Sequence, residues 1–218
     1  MFNEVRAAGF DGVELAQLVS DSDVDLLVRS LDAYSLKLAG VSGGSLVNRL
    51  SLVDQYIQRK PKVAVPYVYV DDWTEVEHEL FKQAEIPCQI AIHPHMFKPI
   101  QTATEAVKCL KRYAYCRFMP DTGHLTVAGA DVQSVIRQNL EQTISIHLKD
   151  WSPEFGRSLP FYSRGFVPLG KGIVPLREVI QLLNTKRYNG WLIVEQDYSL
   201  RPISAAKESR DFLRKQGI

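Results

Sequence analysis

Ile144-Ser145-Ile146-His147-Leu148-Lys149-Asp150 is a short apolar run that ends in groups able to hold a divalent cation. Two other stretches have the same character: Phe118-Met119-Pro120-Asp121-Thr122-Gly123-His124 and Trp191-Leu192-Ile193-Val194-Glu195-Gln196-Asp197. A short buried strand delivers the side chain at its carboxyl end with little positional freedom. Three such strands therefore converge an Asp, a His and a Glu on one point. That is the outline of a metal site.

Outward from these stretches, short apolar runs alternate with longer amphipathic ones. Strands are expected at 12–16, 37–41, 63–70, 88–92, 117–120, 143–148 and 191–194. Helices are expected at 1–8, 23–34, 46–58, 74–84, 104–113, 131–139, 176–183 and 203–215, with a Pro- and Gly-rich link at 151–172. Strict alternation of strand and helix implies a parallel sheet with right-handed crossovers. The fold class is α/β, and the expected fold is a (β/α)8 TIM barrel that lacks its first β-strand, because the chain begins in a helix. Residues 1–218 are expected to form one barrel domain, incomplete at its N-terminus. The strands flanking the missing position would present unpaired edges, which favours a homodimer or marginal stability. An open doubly wound sheet is the alternative.

Composition suits such a domain. The 218 residues are 45% hydrophobic and 23% charged, enough for one large core. A net charge of +1 gives no purchase on a polyanion, so no nucleic-acid partner is expected. Cys88, Cys109 and Cys116 are odd in number and lack close pairing, which reads as reduced thiols in a cytoplasmic protein. No apolar stretch approaches the roughly 20 residues a membrane span needs, and no signal peptide opens the chain.

In parallel α/β architectures ligands bind at the carboxyl ends of the strands, where Asp121, His147 and Glu195 fall. A divalent metal such as Mn2+, Co2+, Mg2+ or Zn2+ accepts this mixture of carboxylate and imidazole and leaves positions open for substrate oxygens. Taken singly, each residue has a duller reading: a helix cap, a satisfied core histidine, a surface charge. Together, at the ends of three consecutive strands, they favour the metal. His93-Pro94-His95 marks a fourth strand end, and His93, His95 or both would ligate the metal or bind a substrate hydroxyl.

Gly9-Phe10-Asp11-Gly12-Val13-Glu14-Leu15, His93-Pro94-His95, Asp121-Thr122-Gly123-His124, His147-Leu148-Lys149-Asp150, Leu169-Gly170-Lys171-Gly172 and Gly190-Trp191-Leu192-Ile193-Val194-Glu195-Gln196-Asp197, in that order, resemble the xylose isomerase-like TIM barrels. Within them the chain is similar to the sugar phosphate isomerase/epimerase family and especially to the inosose dehydratases. The resemblance implies a divalent metal held by Asp121, His147 and Glu195, with His93 where many relatives carry a Glu. It implies that His124 and Lys149 contact substrate oxygens and that Glu14 lies at the end of the second strand, where it lines the substrate site with His95 or only orients its neighbours.

The implied chemistry is proton abstraction next to a carbonyl in a small sugar or inositol-derived substrate. Glu195 is the expected base, and His124 or Lys149 the donor to oxygen. Return of the proton to carbon gives isomerisation or epimerisation. Expulsion of a β-hydroxyl gives an inosose dehydratase-like lyase. A barrel that has lost activity and only binds is a third reading. Leu169-Gly170-Lys171-Gly172 offers flexible backbone and a cation to a substrate phosphate, or is simply a tight turn.

Overall fold

A computed structural model of the chain describes residues 1–16, 23–64, 66–74, 88–156 and 162–218. After helix α1 (Phe2–Ala8) come β1 (Gly12–Leu15), α2 (Val24–Ala33), β2 (Lys37–Val41), α3 (Leu46–Arg59), β3 (Tyr67–Val70) and β4 (Ile90–Ile92). Then follow α4 (Ala103–Arg112), β5 (Arg117–Phe118), α5 (Thr122–Val127), α6 (Val132–Asn139) and β6 (Ser145–Leu148). The chain closes with β7 (Asp150–Trp151), β8 (Phe166–Val167), α7 (Leu176–Thr185), β9 (Trp191–Val194) and α8 (Pro202–Lys215).

Strands β1 to β5 form one parallel sheet in sequence order, and β6 pairs in parallel with β9. Parallel bridges Phe118–Thr143 and Asp121–His147 join the two sheets at β5 and β6. The ring curls round until its ends approach: a Cβ on Gly12 of β1 would lie 2.9 Å from the Trp191 ring of β9. Between β1 and β9 runs a cavity of about 660 Å³, lined by both strands and by Val5, Tyr188, Arg210 and Leu213. The cavity separates the first and last strands of the described ring, and α1 packs against α8 beside it.

Period-two alternation sorts the strand residues. Val68, Val70, Ile90, Ile92 and Phe118 face outward into the layer shared with α2, α3 and α4, while Ile146 and Leu148 face α6 and α7. Ala39, Tyr67, Ala91 and Met119 fill the barrel interior, with Trp191 and Ile193 packed against them. Helix caps agree with sequence: Ser45, Thr102 and Asp131 each accept a hydrogen bond from the third residue of the helix that follows, and Thr102 with Glu105 forms a capping box.

Several expected boundaries move. The strand expected at 117–120 is regular only over Arg117–Phe118, because the chain turns at once into α5, a helix the sequence reading missed. Its Gly123 has the signature of a helix breaker, yet any Cβ there would sit 2.8 Å from both Lys149 and Phe166, so only glycine lets this helix approach. The link expected at 151–172 contains the antiparallel pair β7–β8. The strand expected at 63–70 narrows to Tyr67–Val70, and the helix expected at 74–84 lies outside the described residues apart from Thr74. The three cysteines are free, and among the described residues no helix is long and apolar enough to cross a membrane.

Candidate metal centre

The alternation that builds the core also builds the site. Ser145, His147 and Lys149 point into the barrel from β6, and Trp191, Ile193 and Glu195 from β9. His93 and Asp121 follow from β4 and β5. The result is a cluster at the carboxyl end of the barrel, the end where ligands bind in this architecture.

His93, Asp121 and His147 are all buried, and one ligand atom from each lies within 4.8 Å of the others. His147 Nδ1 is 3.8 Å from Asp121 Oδ2 and donates to Glu195 Oε2 at 2.5 Å. The Glu195 side chain is 37% exposed, so this carboxylate joins the buried cluster to the open mouth of the barrel. Asp121 divides its two oxygens between tasks: Oδ1 accepts from the His124 amide at 2.8 Å and caps α5. Oδ2 is buried and accepts no hydrogen bond among the described residues. It faces the Lys149 ammonium at 3.5 Å without a hydrogen bond, so its lone pairs remain open to a further cation. His93 Nδ1 donates to the Met119 carbonyl at 3.2 Å, which makes Nε2 the acceptor of that ring.

Charge follows from burial and neighbours. Burial holds His93 well below the ordinary histidine range, and the nearby His147 adds to this, so it is neutral with a lone pair to offer. Burial also pulls on His147, but the Glu14 and Glu195 carboxylates on its two sides outweigh it and hold the ring well above its usual range. Glu195 stays well below the carboxylate range despite burial, because Lys149 and His147 face it. Burial raises Asp121, with Lys149 opposing. A buried carboxylate oxygen without a hydrogen bond, a neutral imidazole acceptor and a second carboxylate within reach form a donor set that fits a divalent cation of the Mn2+, Co2+, Mg2+ or Zn2+ type.

A second layer lies beside this cluster. Lys149 Nζ is fully buried, 2.8 Å from Asp197, 3.2 Å from Glu195, 3.5 Å from Asp121 and 3.0 Å from His124 Nε2. His124 is neutral, held well below its usual range by burial and by the Lys149 charge, so it accepts from that ammonium. His95 stacks on His124 with ring centroids 3.9 Å apart and donates Nδ1–H to the Met96 carbonyl at 2.8 Å. It thus joins His124 and lies outside the three-residue ligand group. Glu14 accepts from His147 Nε2 at 3.0 Å, on the face of that ring turned away from Asp121.

The glycine turn is not a free anion nest. Gly170 and Gly172 donate their amides to Asp150 Oδ2 at 2.8 and 2.9 Å, and the Lys171 amide goes to the Pro168 carbonyl. Asp150 Oδ1 takes the Trp151 and Val174 amides as well. The turn reading of Leu169-Gly170-Lys171-Gly172 therefore prevails over the phosphate reading.

Sequence reasoning passed over Tyr67, Ser145 and Asp197. Tyr67 reaches Glu14 and Ser145, and Asp197 holds Lys149. Each stands two residues from a residue that was singled out or from another interior residue, so the alternation itself was the signal.

The family model described as xylose isomerase-like TIM barrel matches residues 66–216. The inosose dehydratase of Bacillus thuringiensis (strain Al Hakam) is 26% identical, over 98% of this chain and 88% of its own. Among solved structures, the chain superposes on the 3-keto-D-glucoside 4-epimerase of E. coli with a TM-score of 0.76 at 14% identity, covering 98% of this chain and 92% of that one. A xylose isomerase-like TIM barrel protein from Mycobacterium smegmatis, solved in complex with magnesium, gives a TM-score of 0.68 at 19% identity, with 99% and 86% covered. The chain belongs to the xylose isomerase-like TIM barrel family.

Proposed function

We propose that the protein is a divalent-metal-dependent enzyme that abstracts a proton next to the carbonyl of a small, unphosphorylated sugar- or inositol-derived ketone. The observation that carries the reading is the convergence of His93, Asp121 and His147 on one point beside Glu195 at the mouth of the barrel. Those four residues would hold the ion. When bound, it supplies a Lewis acid that polarises the carbonyl and stabilises negative charge on its oxygen.

The side chains divide the remaining work. Glu195 is ionised and partly exposed, so it can reach a C–H presented at the barrel mouth and take its proton. Lys149 stays cationic, because the Asp121, Glu195 and Asp197 carboxylates overcome the cost of its burial. It donates to His124 and through it aligns the stacked His95 ring, whose edge is left for a substrate hydroxyl. The engaged amides of the glycine turn support a substrate without phosphate. Return of the proton to the opposite face gives epimerisation, while its delivery to a departing β-hydroxyl releases water and gives dehydration. The relatives named inosose dehydratase, matched over nearly the whole chain, favour loss of water.

The test is incubation of manganese-loaded protein with an inosose in D2O, followed by proton NMR. Deuterium entering the carbon next to the carbonyl, with or without an alkene-type product, is the expected result. Glu195→Gln should slow exchange by about 10² to 10⁴. Exchange undiminished in metal-loaded Glu195→Gln would remove Glu195 from the role of base.

A further inference from the structure

Glu14 sits at the end of β1 with its side chain 8% exposed, and its Oε2 receives two hydrogen bonds from opposite walls of the barrel. One comes from His147 Nε2 at 3.0 Å, the other from the Tyr67 hydroxyl at 2.8 Å. A carboxylate only accepts, so both partners donate. Tyr67 has spent its proton on Glu14, so Ser145 Oγ, 2.9 Å away, donates to the Tyr67 oxygen. The proton order is fixed along the string: Ser145 to Tyr67, Tyr67 to Glu14, and His147 to Glu14.

The string is built into the fold. Ser145 lies two residues before His147 on β6, so both point into the barrel, and Tyr67 crosses from β3. The Tyr67 ring needs the space that Gly40 leaves on β2: a Cβ there would lie 2.3 to 2.7 Å from ring atoms. None of these contacts faces the cluster of His93, Asp121 and Glu195.

We infer that Glu14, braced by Tyr67 and Ser145, is a positioning residue that keeps the His147 proton on Nε2 and so delivers Nδ1 as the metal-binding nitrogen. With no cation bound, Nδ1 also carries a proton and donates it to Glu195; a bound cation would take the place of that proton, and a carboxylate on Nε2 then fixes both tautomer and ring angle. His147 Nδ1 is the nitrogen facing Asp121 and Glu195. If the proton moved to Nδ1, the lone pair would point at Glu14, away from the cluster. The inference rests on the proposed metal site, and it assigns Glu14 to the ring behind that site, naming the neighbour that Glu14 orients.

The test uses Zn2+ alone, with affinity measured by competition against a chromophoric chelator for wild type, His147→Ala, Glu14→Ala, Glu14→Gln and Tyr67→Phe. Glu14→Ala should weaken binding by about 10- to 100-fold. Glu14→Gln keeps a carbonyl acceptor of the same reach and should recover part of that loss, and Tyr67→Phe should show a smaller loss than Glu14→Ala. Nitrogen-15 spectra of the zinc-loaded wild type should show the His147 proton on Nε2, a signature that a purely structural role for Glu14 does not require. His147→Ala should abolish binding. If Glu14→Ala and Glu14→Gln bind Zn2+ like wild type while His147→Ala does not, the inference falls and the metal site stands. If His147→Ala also binds like wild type, the metal site falls and takes the inference with it.

Discussion

Lys149 has lost all contact with solvent and has three carboxylates within 3.5 Å of its ammonium group. Such a cation is kept by its partners, and removing it strands them. Methionine matches the stem but leaves Asp121, Glu195 and Asp197 facing one another. Lys149→Met should therefore cost the metal-free protein about 3 to 5 kcal/mol in urea unfolding, the usual range for breaking a buried ion pair. Added Mn2+ should recover part of the loss, since a divalent ion neutralises the same carboxylates. A loss under about 1 kcal/mol would mean that the carboxylates do not depend on this charge. At the same scale, Asp121 shows why single-residue readings divide: a strand-end Asp is weighed as either helix cap or metal ligand. Here one oxygen caps α5 and the other faces His147, so both readings describe the same side chain.

Among the elements, β1 and β9 differ from the inner barrel strands, and β1 shows how. It pairs with β2 along one edge, and its other edge borders the cavity shared with β9. Strands β3 and β4 pair on both sides. Amides of Gly12–Leu15 that face the cavity should exchange with D2O orders of magnitude faster than those of β3 and β4, by a route that needs no global unfolding. Equal protection in β1 and β3 would show that the edge is closed. The rim pair β7–β8 escaped sequence reading for a different reason: its strands are two residues each, too short for any periodicity. Asp150 nonetheless binds the rim to the glycine turn through four backbone amides, an arrangement visible only once the chain folds back.

For the whole molecule, the barrel was legible because buried parallel strands and amphipathic helices alternate in step, and period-two spacing then put His93, Asp121, His147 and Glu195 at one end. What stayed hidden depends on tertiary approach. The α5 helix exists because Gly123 lies against Lys149 and Phe166, and the Glu14–Tyr67–Ser145 string joins residues from three strands. Neither is marked by local pattern. The central claim is that four side chains from four strand ends form one metal site. The most direct measurement is elemental analysis of protein purified without chelators, reconstituted with Mn2+ and dialysed, for wild type beside His147→Ala. The account predicts one ion per wild-type chain and a sharp loss in the variant, whereas full stoichiometry in His147→Ala would contradict it.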